Sequence, residues 1–106
     1  MRVLFDQGTP APLRRALASH VVETAHERGW SSLRNGELIA AAESAGSQVF
    51  VTTDRCLKYQ QNLALRSLSI VVLSTTSWPR IQRSLESVVA VVEAALPGGY
   101  SEVAIS

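Results

Sequence analysis

Val49-Phe50-Val51-Thr52-Thr53-Asp54 decides how this chain reads: an apolar run of strand length, rich in β-branched and aromatic side chains, closed by an acid. Its counterpart near the start is Arg2-Val3-Leu4-Phe5-Asp6. These two aspartates are the only ones in 106 residues, and each ends a β-like run. In an open parallel α/β sheet the C-terminal strand ends gather on one edge, where ligands bind. Two carboxylates delivered to that edge have the chemistry of hard-cation ligands.

Helical patterns fill the stretches between and beyond these runs. Gly8 and Thr9 make a turn, with Thr9 placed as N-cap and Pro10 as the first residue of a helix to Ser19. That helix buries Leu13, Ala16 and Leu17 and shows Arg14 and Arg15 to solvent. His20 to Ala25 reads as a second strand, near an edge because of its polar Glu23 and Thr24. Gly29 to Arg34 is a loop carrying Trp30. Asn35 caps the next helix, where Leu38, Ile39, Ala42 and Ala45 recur at helical spacing and Gly46 stops the run. After the strand over 48–53, a short helix is expected over 57–65. Leu68 to Leu73 is the most hydrophobic strand. Ser77-Trp78-Pro79 opens the longest helix, to about Leu96, with Ile81, Leu85, Val88, Val92 and Leu96 in one stripe. Pro97-Gly98-Gly99 breaks it, and Tyr100 to Ile105 is a candidate last edge strand. The alternation predicts an α/β fold with three layers, a mainly parallel four- to five-stranded sheet and right-handed crossovers. A strand order of 2-1-3-4 puts the topological switch between strands one and three, where Asp6 and Asp54 end.

The length suits one domain over 1–106. Apolar residues make up 46% and charged residues 18%, and the Ala- and Val-rich last third leaves room for a partner or homodimer surface. A net charge of +1 creates no bulk field for nucleic acid, so phosphate binding needs a local cluster. Cys56 is the lone cysteine, which excludes an intramolecular disulfide and a Cys-rich zinc site. The opening MRVLFDQGTP has too short an apolar run for a signal peptide, and no window approaches a membrane span. A cytoplasmic protein without membrane contact is expected.

The acids carry two readings each. Asp6 before Gln7-Gly8 suits an Asx turn or a metal ligand at the sheet edge. Asp54 suits the N-cap of the following helix or a second ligand. Glu37, in the first turn of the helix after strand two, suits the helix dipole or a third ligand for Mg²⁺ or Mn²⁺. Arg55 and Lys58 follow Asp54 and are the nearest phosphate contacts, or else a solvated helix face. Arg14, Arg15 and Arg34 divide the same way. Trp30 and Trp78 sit beside loops, where each either covers the core or stacks on a base. The adjacent amides of Tyr59-Gln60-Gln61-Asn62 suit hydrogen bonds to a ligand or to the acids, or else a polar interface. His20 and His26 lack metal-ligand spacing, Cys56 lacks a His/Asn arrangement, and there is no P-loop or GxGxxG.

The opening RVLFDQGTP, the segment ETAHERGWSSLRNGELIAAAESAG, the strand VFVTTD and the run KYQQNLALRSLSIVVL together resemble the small PIN-like proteins, relatives of PIN-domain nucleases and VapC-type toxins. The resemblance runs from Met1 to about Val103. It implies a PIN-like, Rossmann-like fold and hydrolysis of RNA at an acidic cluster around Mg²⁺ or Mn²⁺. By position, the cluster acids are Asp6, Glu37 and Asp54. Many PIN nucleases carry a fourth acid two residues after the later aspartate; here that position is Cys56, so three acids hold one metal and a second metal loses its ligand.

The resemblance implies a metal-dependent ribonuclease, with Asp6 and Asp54 as ligands, Glu37 as ligand or water-positioning group, and Arg55 and Lys58 on phosphate. It also implies a toxin–antitoxin pair, with an antitoxin protein as partner. The other reading is a catalytically inactive PIN-like module that binds RNA or a protein and keeps the acids as caps.

Overall fold

A computed structural model describes residues 1–54 and 67–105. Five strands form one sheet: β1 (Arg2–Phe5), β2 (Val21–Thr24), β3 (Val49–Thr52), β4 (Ser69–Leu73) and β5 (Tyr100–Val103). Their order is β2-β1-β3-β4-β5, and every neighbouring pair is parallel. The helical elements are a 3-10 helix (Ala11–Leu17), α1 (Asn35–Ser44), α2 (Trp78–Gln82) and α3 (Leu85–Glu93). The helix expected over 57–65 lies outside the described residues.

Strands buried on both faces of a parallel sheet read as continuous apolar runs rather than alternating ones. β3 and β4 do so, being buried at every position. β2 is exposed or half-buried throughout, as its Glu23 and Thr24 foretold for an edge. Because successive side chains point to opposite faces, the apolar positions divide into two cores. Val3, Phe5, Val49, Val51, Val71 and Leu73 pack on Leu13 and Leu17 of the 3-10 helix and on Ile81, Val88 and Val92 of α2 and α3. Leu4, Phe50, Ile70 and Val72 pack on Leu38, Ile39 and Ala42 of α1, with Trp30 and Leu33 at the margin. Each fully buried side chain of this size contributes roughly 1.5–3 kcal/mol. The result is an all-parallel, Rossmann-like α/β sheet with helices on both faces and its switch point between β1 and β3. Among the described residues no helix is long and apolar enough to cross a membrane.

Three local expectations need correction. Thr9 does not cap the first helix: Pro10 is its N-cap, the winding is 3-10, and the first bond runs from Leu13 N–H to Pro10 O at 3.1 Å. The Thr9 hydroxyl is engaged elsewhere, as shown below. Arg34, not Asn35, is the N-cap of α1. The single long helix is two. Arg83 N–H bonds Arg80 O at 3.2 Å and Ser84 N–H bonds Ile81 O at 2.9 Å, tight i→i−3 bonds that end α2 and turn the chain before α3. Ile81, Val88 and Val92 stay buried, but Leu96, placed on the same stripe, lies past the end of α3 and is 71% exposed. Gly46 does stop α1, at φ 85°, a conformation glycine adopts without steric cost.

Candidate functional site

The strand registers place the acids. Leu4 pairs with Phe50 and Phe5 with Val51, so Asp6 and Thr52 come next in the same row. Asp6 N–H donates to Val51 O at 3.1 Å, extending the ladder one residue past β1. Asp6 and Asp54 thus leave adjacent strands at the C-terminal edge, on either side of the switch point.

A hydrogen-bonded relay joins the Asp6 carboxylate to the Asp54 backbone. The Thr52 hydroxyl donates to Asp6 Oδ2. The same hydroxyl oxygen accepts the Asp54 N–H at 3.1 Å. Thr52 itself is fully buried, and both bonds are partly shielded from water. On the other side, Asp6 Oδ1 accepts the Thr9 N–H at 3.0 Å. Thr9 Oγ1 lies 2.8 Å from Asp6 Oδ1 and 2.9 Å from Val51 O, and shares its single proton between them. The two threonines are what the sequence reading missed. The 2-1-3 order set the two strands side by side, but only the observed register puts Thr52 opposite Asp6.

The turn after β1 closes tightly on the turn after β3. A Cβ at Gly8 would overlap the Thr53 hydroxyl and lie 3.7 Å from Asp6 Oδ1. Next to Asp6 opens a cavity of about 230 Å³, walled by Gln7, Trp30, Ser31 and Leu38. The Gln7 amide donates to Ser31 O, and the Arg28 guanidinium stands 4.7 Å over the Trp30 ring, a cation–π contact. Arg28 and Arg2 also pair with Glu23, at 3.4 and 2.9 Å.

Glu37 behaves differently. It is exposed, at the third position of α1, and its Oε1 accepts the Arg34 backbone N–H at 3.2 Å. That is the return half of a capping box. Among the described residues no group of three or more His, Cys, Asp and Glu side chains is arranged to hold a metal ion. The structure therefore brings Asp6 and Asp54 to one edge and leaves Glu37 on its own helix end. Arg55, Lys58, Cys56 and Tyr59-Gln60-Gln61-Asn62 lie outside the described residues.

The donor set at the edge is all oxygen, which suits Mg²⁺ or Mn²⁺. An ionised carboxylate offers about four lone-pair positions. Among the described residues, protein donors occupy one position of Asp6 Oδ1 and one of Oδ2, the shared Thr9 proton reaches the second position of Oδ1, and Oδ2 keeps one for a cation. Both aspartates are half-buried, so solvent ligands can complete a shell.

Elsewhere, Arg14 grips Glu27 with two guanidinium nitrogens. This bond first, and the Thr24 N–H second, hold the Glu27 carboxyl below its ordinary value. His20 accepts from the Met1 ammonium at 3.2 Å and meets Glu93 at 3.1 Å, beside the start of β2 rather than at the Asp6 edge. His26 is exposed. Neither histidine joins the aspartates. No family model, curated protein or solved structure matches the chain.

Proposed function

We propose that this chain is a PIN-like domain that hydrolyses RNA with Mg²⁺ or Mn²⁺ at the Asp6–Asp54 edge, as the toxin half of a toxin–antitoxin pair. The observation that carries the reading is the Asp6–Thr52–Asp54 relay at the switch point of a parallel sheet. A bound divalent ion supplies a more acidic water and charge for the phosphorane-like transition state. Asp6 Oδ2 and the Asp54 carboxylate are the groups that would hold the ion. Thr52 and Thr9 fix the Asp6 carboxylate so that only one lone pair faces outward. Glu37 takes the water-positioning role that the resemblance implies, from its place in the first turn of α1. Arg55 and Lys58 bind the scissile phosphate.

A second reading has its own support. Two of the four acceptor positions of Asp6 are filled by Thr9 N–H and the Thr52 hydroxyl and a third shares the Thr9 hydroxyl proton with Val51 O, Glu37 caps its own helix, and Cys56 stands where the resemblance puts a fourth acid. Those features suit an inactive PIN-like module that binds RNA or a protein partner.

Titrating Mn²⁺ by calorimetry and assaying single-stranded RNA with and without EDTA decides between them. The nuclease reading expects Mn²⁺ binding, EDTA-sensitive cleavage, and loss of both in Asp54→Asn with the fold retained, since Asn and Asp cap helices about equally well. Wild-type protein that binds no metal at millimolar concentration and cleaves nothing leaves only the inactive module. A small DNA-binding protein encoded next to this chain, and forming a complex with it, would support the toxin assignment; its absence would sink it.

A further inference from the structure

A groove of about 780 Å³ runs between the 3-10 helix and the helices α2 and α3, on the face opposite α1. Its walls include Pro12, Arg14, Arg15, Trp78 and Gln82, and no acid lines it. The geometry points to this groove as the track for a single strand of RNA running to the Asp6–Asp54 edge, with Trp78 as a stacking surface for a base and Arg15 as a phosphate contact. The inference rests on the RNA reading of that edge and adds a binding surface to it.

Charge complementarity is the first support. Arg14 is held by Glu27, which fixes one wall and cancels most of its charge. Arg15 is exposed and, among the described residues, makes no hydrogen bond or ion pair. The adjoining concavity, which shares Gln82 and Leu85 with the groove, carries both Arg83 and Glu86 and so adds no net charge. Phosphates tracking past the Arg15 wall gain by releasing counterions.

The ring is the second. Trp78 is half-buried: part of it packs on the core and part lines the groove. Every base has a π-face, so an aromatic surface beside guanidinium groups holds a single strand without reading its sequence. An extended peptide has less to bind, because the groove lies over a helical layer and offers no strand edge for backbone pairing.

Continuity is the third. Thr9 N–H touches Asp6 Oδ1 at 3.0 Å, and the groove begins at Ala11. Two residues span at most about 8 Å between Cα atoms. A strand leaving the groove at Ala11 therefore has only the Thr9 turn to round at the C-terminal edge before it meets the Asp6 cavity on the α1 side.

The test is binding of a short labelled oligouridylate to the full chain in EDTA, where the metal site is silent. Wild type is expected to bind, with affinity falling as salt rises. Arg15→Ala is expected to weaken binding several-fold at low salt and to reduce the slope of log K against log salt by about 0.7, the share of one phosphate contact on a single strand. In a Trp30→Phe protein, the remaining Trp78 emission is expected to be quenched by the RNA. An unchanged slope in Arg15→Ala, an unquenched Trp78, or no binding by wild type overturns the inference. So does equal, equally Arg15-dependent binding of oligoglutamate, which would assign the groove to acidic peptides. Mn²⁺ calorimetry on the same proteins separates the two readings. Metal binding with no effect of Arg15→Ala removes the groove and keeps the metal site. Arg15-dependent RNA binding without metal binding does the reverse.

Discussion

Replacing Thr52 with Val removes one hydroxyl and keeps the side-chain shape, so it isolates the relay. Two bonds are lost. The bond to the Asp6 carboxylate is charge-assisted and contributes about 1.5–3 kcal/mol. The Asp54 N–H loses its acceptor, but Asp54 is half-buried and water can replace the bond at a cost below about 1 kcal/mol. Against these stands the transfer of an added methyl into a fully buried position, which gains about 0.8 kcal/mol. The net expectation is destabilisation by about 2 kcal/mol. For a chain of this size that lowers Tm by about 10 °C. The assay is urea unfolding in EDTA, read as a shift in midpoint at constant slope. A cycle with Asp6→Asn should show strong non-additivity, because the two side chains share the interaction. A loss below about 0.5 kcal/mol, or clean additivity with Asp6→Asn, would show that Thr52 does not hold the carboxylate and would remove the central support for the site.

Three further outcomes follow from the same geometry. Gly8→Ala is expected to cost about 1–3 kcal/mol by crowding the Thr53 hydroxyl, and Thr53→Ala in the same chain should restore most of it; independent effects would mean the two turns do not touch. Glu43 Oε2 accepts from Ser67 N–H and Oγ–H, both at 2.9 Å, and from Leu68 N–H at 3.3 Å, so Glu43→Ala should cost about 1.5–3 kcal/mol in thermal unfolding, against no change if water substitutes fully. Glu27 has a depressed pKa in the folded state, so its contribution is present above the unfolded value of 4.5 and is lost as pH falls through the folded value. The stability gap between wild type and Glu27→Gln should therefore close on acidification and shrink with salt; a gap that persists at the acid end would contradict the Arg14 pairing.

The sheet was legible because its signals are local and strong. Val49–Thr52 and Ser69–Leu73 are unbroken apolar runs, and a parallel sheet covered on both faces leaves them nothing else to be. The 2-1-3-4 order and the shared edge for Asp6 and Asp54 followed from right-handed crossovers. The misses came where tertiary partners outcompete local chemistry. Thr9 looks like a helix cap, yet its hydroxyl turns back to Asp6, three residues earlier, and to Val51, 42 residues away on a neighbouring strand. Ser84 interrupts a stripe that reads as one helix, because Ile81 and Val88 satisfy the core from two shorter helices and the intervening turn needs only i→i−3 bonds. Glu37 was legible as a first-turn acid, and that is the role its hydrogen bond to Arg34 gives it. Its convergence with the aspartates depended on side-chain reach, which spacing in a sequence does not encode.

An all-parallel sheet also sets the order in which this site can come into being. No ladder here closes through a hairpin, so every strand pair waits on a crossover. The bond between Thr52 and Asp6 joins residues 46 apart in sequence, while the β1–β2 and β3–β4 pairs close across less than half that distance. Loop-closure entropy rises with the logarithm of length, so the β1–β3 seam is the dearer of these to form by under about 1 kcal/mol. Contacts of such high order tend to be made late and to slow folding. The two aspartates thus meet when the central seam closes, and hydrogen exchange at the Asp6 and Val51 amides would report on the whole sheet rather than on a local turn.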